Sequence, residues 1–418
     1  MTGGHQLGAS SVPFGRAAYR RASLRLPGRE EHFLIAVLAV CGIVDWLHLI
    51  RFGETSALAI LTVLWALLSW CLWLVQARGK RHVSRPVRPF LLFLAWVLAS
   101  LAWAAPTTLG VQNVVLLMTF AGVLLLSENT VASAGTFPAW VGKSLVGATF
   151  TACGFYIAFM LIDGLGTDLV FHARSFAIFV LLGLAWFLAG WRYGSIKDLA
   201  FAVFIVTLIV LSLSRMAFAT SLLTFLLAWI VRRGRTNWFK LAAVVFLVAG
   251  LAYSVVSDFG PFHDRFAAGA DGLDLSGREA TSYTSGRLEY WLVTLSSAMD
   301  SPWIGQGAGS SSKVLNDMFP WIEHPHDEYL RVFHDYGLVG LVLFLWSVGM
   351  LFRATWVNWR LAERMGRPDS RLHLAAFLAL FAVFFTMISE NSLVYLFMMA
   401  PLAVLVGASL GRGSSSAA

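Results

Sequence analysis

The sequence predicts an all-α polytopic membrane protein of about 12 transmembrane helices with one large, partly helical outer loop. Three observations predict it. Apolar residues fill 58% of the 418 positions and charged residues only 13%, with a mean hydropathy of +0.72, whereas a soluble protein carries roughly 25% charged residues. Apolar runs long enough for a hydrocarbon core, about 17–25 residues each, recur along the chain. Basic residues gather on alternate loops between them, as cytoplasmic loops require.

The runs lie at 33–50, 56–76, 89–105, 107–127, 144–162, 175–191, 198–213, 216–231, 239–257, 337–352, 372–389 and 393–411. Arg16, Arg20, Arg21, Arg25 and Arg29 precede the first run, and Arg78, Lys80, Arg81, Arg85 and Arg88 follow the second. Arg192 and Lys197 follow the sixth, Arg232, Arg233, Arg235 and Lys240 the eighth, and Arg353, Arg360, Arg364, Arg367 and Arg371 the tenth. Arg412 follows the last. The alternation predicts cytoplasmic termini in the cytoplasmic (inner) membrane. It divides the chain into a basic tail (1–32), nine spans (33–257), an outer loop (258–335), three further spans (336–411) and a short cytoplasmic tail (412–418). No small-residue cleavage site follows the first run, which reads as a span rather than a signal peptide. The net charge of +8 thus reflects membrane topology, and no nucleic-acid partner is expected. Cys41, Cys71 and Cys153 each sit in an apolar run and read as packing residues, without the spacing of a disulfide framework or a zinc site.

The loop from 258 to 335 stands apart, with 5 Lys and Arg against 12 Asp and Glu in a chain that is basic overall. A loop of that length is usually functional. Leu288, Trp291, Leu292, Leu295 and Met299 recur at helical period after Arg287 and stop at Asp300, Ser301 and Pro302, which predicts an amphipathic helix along the outer surface. Gly305 to Gly309 lacks the spacing of a phosphate-binding loop and reads as a flexible turn. In His324-Pro325-His326-Asp327-Glu328 the proline separates the two histidines, and His326 is expected to start a helix continuing through Leu330, Phe333 and Gly337. An imidazole there suits proton transfer near neutral pH. Metal ligation by His324, His326 and His334 is the weaker reading, since a full zinc ligand set is not spelled out. Gly337 and Gly340 suit close helix contact. Ser214-Arg215 interrupts an apolar stretch, as a tight outer turn or as a cation at a cavity rim, because an arginine at membrane depth needs a partner or water. Glu390 and Asn391 also fall on the outer side, where Glu390 either pairs with an arginine or simply ends its helix.

Taken in order, the Ser214-Arg215 break, the loop with Arg287 and Trp291, the Pro302–Gly307 turn, and His326 followed by Gly337-x-x-Gly340 resemble the O-antigen ligase and O-antigen polymerase superfamily. The resemblance covers about 198–352. It implies transfer of a glycan from undecaprenyl diphosphate to an acceptor hydroxyl on the outer face of the membrane, by an inverting displacement that needs no metal or cofactor. Partners would be the lipid-linked donor, a lipid A core, lipid-linked repeat or other glycan acceptor, and membrane lipids. His326 would be the catalytic base. Arg215 and Arg287 would bind the donor diphosphate, for which the planar guanidinium fork is suited. His324, Asp327, Trp291 and Glu390 would contact acceptor or support the site. Asp327 departs from the Asn, Ser or Gln usual after the second histidine, which bears on acceptor choice. A transporter or flippase of a lipid-linked or anionic substrate is the alternative class, although such folds often show two related halves.

Overall fold

The computed structural model describes residues 28–414 apart from 54, 77–81, 105–106, 134–136, 168–171, 234–286 and 321. The span expected at 239–257 and the outer loop up to residue 286 therefore lie outside the described residues. Each other expected span has a helical counterpart. In chain order these are α1 (Arg29–Cys41), α2 (Ala57–Val75), α3 (Arg88–Ser100), α4 (Thr108–Ser133), α5 (Phe137–Asp163), α6 (Ala173–Arg192), α7 (Ile196–Leu211) and α8 (Arg215–Arg233). Then come α9 (Arg287–Ala298) and α10 (Ser310–Met318) in the segment expected to form the outer loop, α11 (Glu328–Arg364), α12 (Ser370–Thr386) and α13 (Leu396–Ser414). A ladder pairing Arg51 with Ser56 and Phe52 with Thr55 is the only sheet among the described residues.

Six helices, α2, α4, α5, α6, α11 and α13, are long and apolar enough to cross a membrane, and α3, α8 and α12 are shorter apolar helices. The apolar run at 33–50 does not form one span: α1 ends at Cys41 and the chain continues as a 3-10 turn over Val44–Leu49. The chain is an all-α multi-pass membrane protein. Its core is α4, α6, α12 and α13, apolar nearly all round and buried accordingly, while α2, α5 and α11 expose one face. Where lipid is as apolar as leucine, small residues let helix backbones approach closely. Gly407 and Gly411, one turn apart on α13, do this against α4. A Cβ at Gly407 would sit 2.5 Å from the Leu124 carbonyl oxygen, and one at Gly411 would collide with that of Glu128. Ser127 Oγ adds a 2.7 Å hydrogen bond to the Val404 carbonyl. Cys41 and Cys153 are buried as expected, but Cys71 is exposed on α2, so it is not a packing residue.

The two ends of the bundle differ chemically. At one end Arg192 pairs with Glu363 at 2.7 Å and Arg371 with Asp198 at 2.8 Å. Arg367 and Arg412 converge there on Asp369, at 2.6 and 3.1 Å, and their attraction outweighs burial to hold its carboxyl below the usual range. These are the residues expected to face the cytoplasm. The segments expected outside meet at the opposite end.

Candidate functional site

The Gly305–Gly309 segment is not a loose turn. Gly305, Gly307 and Gly309 all adopt positive φ, and α10 starts directly after them with its amide groups aimed at Asp335. The Ser311 and Gly309 amides donate to its two carboxylate oxygens at 2.8 and 3.1 Å. A helix N-terminus favours an anion, and here a fully buried side-chain carboxylate supplies it. Gly337 breaks the helical path of α11 with φ 67° and ψ −172°. Its expected helix contact is instead a contact with the loop, since a Cβ there would collide with the Trp303 carbonyl. Gln306 and Gly307 amides donate to the carbonyls of His334 and Asp335 at 3.0 and 2.8 Å. The loop is thereby anchored to the start of α11.

His334 belongs to this anchor rather than to a metal set with His324 and His326. Its Nδ1 lies 3.2 Å from Ser310 Oγ and 3.1 Å from Asp335, its Nε2 lies 3.1 Å from Ser297 Oγ, and it is fully buried. Helix α9 packs with Thr294 and Ala298 inward, half-buries Leu288 and Trp291, and exposes Leu292, Leu295 and Met299, so only that part of its apolar stripe faces away from the protein. That suits a helix lying in a membrane surface.

His326 does not start the helix. It takes a left-handed φ of 56°, and Asp327 is the N-cap, accepting a 2.9 Å hydrogen bond from the Leu330 amide. The cause is local: a short carboxylate at Ncap satisfies one of the free amides of the first turn, which leaves the preceding residue outside the helix. Asn and Ser are equally good caps, so either would do this task in place of Asp327. Burial raises its carboxyl above the ordinary range. Trp291 Nε1 donates to the Pro325 carbonyl at 2.8 Å, fixing the histidine segment from α9. His324 faces Ser312, Nδ1 to Oγ 3.3 Å.

The loop between α12 and α13 completes the arrangement. The Glu328 amide donates to the Met387 carbonyl at 2.9 Å, and its carboxylate, paired with Arg331, accepts from the Leu393 amide at 2.8 Å. The loop is therefore clamped beside His326, with Asn391 Nδ2 3.1 Å from His326 Nδ1. Of the two readings open for Glu390, the structure selects pairing: it lies 3.6 Å from Arg287 and 3.9 Å from Arg174, and is itself buried. Arg287 also donates to the Ser389 carbonyl. Arg215 follows a tight break, with Leu213 at φ 57°, and acts on the same carboxyl. Burial raises Glu390 above the ordinary range against the pull of Arg174, Arg287 and Arg215.

Arg174 and Asn391 are the functional candidates that sequence reasoning did not put in the site. The signal for Asn391 was its neighbour Glu390, and for Arg174 its place at the expected outer end of the sixth run.

A cavity of about 1150 Å³ opens beside these groups, lined by His326, His324 and Asn391 together with Asp45, His48 and Tyr395. The three arginines stand behind that wall, around Glu390, rather than in the described lining. Both histidines are held neutral near pH 7. Burial, then Arg287 and Arg174, depress His326 to about 3; burial, then Arg331 and His326, depress His324 to about 3. The expected titration of His326 near neutrality is thus corrected, because burial and positive neighbours both oppose the imidazolium.

A helical membrane bundle that gathers cations, a carboxylate and neutral imidazoles beside a large cavity defines a multi-pass membrane protein with a candidate site at one end of the bundle. Residues 199–345, from α7 into α11, match the family model for O-antigen ligase. That family implies glycan transfer of ligase or polymerase type in general. No curated protein matches the chain.

Proposed function

We propose that this protein transfers a glycan from undecaprenyl diphosphate to an acceptor hydroxyl on the outer face of the cytoplasmic membrane, with both termini in the cytoplasm. The observation that carries this reading is the connected set His326–Asn391–Glu390–Arg287, which runs from the cavity wall at His326 and Asn391 to the cations behind it, with the base candidate and the cation candidate held by adjacent residues of one loop. Arg287, Arg215 and Arg174 would hold the donor diphosphate, and in its absence Glu390 keeps these cations together. Diphosphate would take over the guanidinium contacts of Glu390, a carboxylate already weakened by burial. Cations placed in a poorly hydrated site stabilise the charge that gathers on the departing diphosphate.

His326 takes the proton of the acceptor hydroxyl as the oxygen attacks the anomeric carbon from the face opposite the leaving diphosphate, inverting that centre. The base must present an unprotonated nitrogen. If the Asn391 amide turns its oxygen toward Nδ1–H, Nε2 keeps its lone pair for the acceptor, and the two amide orientations fill the same space. Diphosphate bound near Arg287 and Arg174 offsets the charges that depress His326 and moves its basicity back toward neutrality. Neither metal nor cofactor takes part in this scheme. Acceptors of matching chemistry are a lipid A core, another lipid-linked repeat or a different glycan.

The test is turnover in detergent with a lipid-diphosphate glycan, read as release of undecaprenyl diphosphate. His326→Ala should lose about 100-fold to 10,000-fold in rate while still binding donor, and His324→Ala should be milder. Full turnover by His326→Ala removes it as the base.

A further inference from the structure

We propose that Asp45, His48 and His172 form a divalent transition-metal site that ties the outer end of α1 to the outer end of α6 beside the cavity. One ligand atom from each residue falls within 4.8 Å of the others. The two imidazoles stack with centroids 5.0 Å apart and bring their Nε2 atoms to 3.3 Å. Two imidazole nitrogens sharing a tetrahedral ion at roughly 2.0–2.1 Å stand about 3.3–3.4 Å apart. The spacing therefore fits a shared zinc-like ion, and does so between residues 124 positions apart in sequence.

Two further observations aim these groups at an ion. His48 Nδ1 approaches the carbonyl of Asp45. A carbonyl can only accept, so Nδ1 carries the proton and Nε2 keeps its lone pair, as in the backbone-oriented histidines of metal sites. Asp45 is 8% exposed, and its Oδ2 is buried without a hydrogen-bond partner. Buried carboxylate oxygens are rarely left so; a cation between this oxygen and the two imidazoles satisfies it. Two imidazoles and one carboxylate select a transition ion such as zinc over calcium or magnesium, which prefer all-oxygen shells. Asp45 and His48 also line the cavity, so a remaining coordination position faces it and takes water or an anionic oxygen. Tying the 3-10 turn at Val44–Leu49 to His172, the N-cap of α6, fixes the cavity rim; the role is structural.

The test uses the full chain purified in detergent on a tag without histidines. It is stripped with chelator and titrated with CoCl2, following the visible absorption of tetrahedral cobalt, and with ZnCl2, following the thermal midpoint. About one ion per chain is expected, with a raised midpoint. His48→Gln and His172→Gln should each weaken cobalt binding by at least ~100-fold, and His326→Ala should bind as the wild type does. Absence of the cobalt signal in the wild type overturns the proposal and leaves a hydrogen bond between the two imidazoles. Undiminished binding in the His48→Gln, His172→Gln double variant also overturns it. Turnover is not read here, so failure of the metal site and failure of the glycan-transfer reading are separate outcomes.

Discussion

Replacing Asn391 by Asp places a carboxylate where an amide nitrogen now lies 3.1 Å from His326 Nδ1. Two unit charges about 4 Å apart at an effective dielectric of ~20 attract by about 4 kcal/mol, equivalent to about three pKa units. The new carboxylate must itself be desolvated, and Arg287, Arg174 and Glu390 face the same place, so a net rise of about one to three units is expected. His326 then titrates between about 4 and 6 instead of about 3. The sign follows from the neutral ring being the competent form: activity is present above the imidazole pKa and lost as pH falls through it. The assay is kcat/KM for undecaprenyl diphosphate release from pH 4 to 8, since this ratio reports the free enzyme. Wild type should show no imidazole-controlled loss over that range, and Asn391→Asp should lose activity with a midpoint between about pH 4 and 6 while remaining active at pH 8. A wild-type acid limb centred near 6.5, or identical profiles for two active proteins, refutes the argument that burial and arginines control His326.

Arg287→Ala and Arg215→Ala should each lower kcat/KM by about 100-fold or more, with Lys restoring only part because the bidentate fork is lost; equal turnover in both Ala variants removes them from donor binding. Trp291→Phe removes the hydrogen bond to the Pro325 carbonyl and should cost about 1 kcal/mol, or roughly fivefold in kcat/KM, with donor affinity unchanged. Asp327→Ala should lower the thermal midpoint through loss of a cap worth about 1 kcal/mol, whereas Asp327→Asn should retain both midpoint and acceptor choice; a changed acceptor profile in the Asn variant would give Asp327 a substrate contact. For orientation, with exposed Cys71 replaced by Ala, cysteine at Asp317 should react with an impermeant maleimide in spheroplasts, and cysteine at Met365 only after lysis. The reverse pattern inverts the topology.

The sequence alone determined what composition and period control. Apolar length set the approximate limits of most of the described apolar helices, and the alternation of basic loops separated Arg192, Arg367, Arg371 and Arg412 from the residues at the other end. Periodicity located α9, and the order of Arg215, Arg287, Trp291 and His326 pointed to the family whose model matches residues 199–345. Tertiary structure decided which of these groups meet. Arg174 joins Arg287 at Glu390, and His48 meets His172, through helices distant in sequence; no local pattern encodes such distances. It also decided protonation and backbone form. The depressed His326 reflects burial and two arginines from other helices, and His326 stays outside the helix because Asp327 takes the cap. The Gly305–Gly309 turn is rigid because Asp335 from α11 occupies the amides ahead of α10. Single residues carry propensity and charge along the chain, whereas desolvation and electrostatic coupling depend on what packing places within a few ångströms.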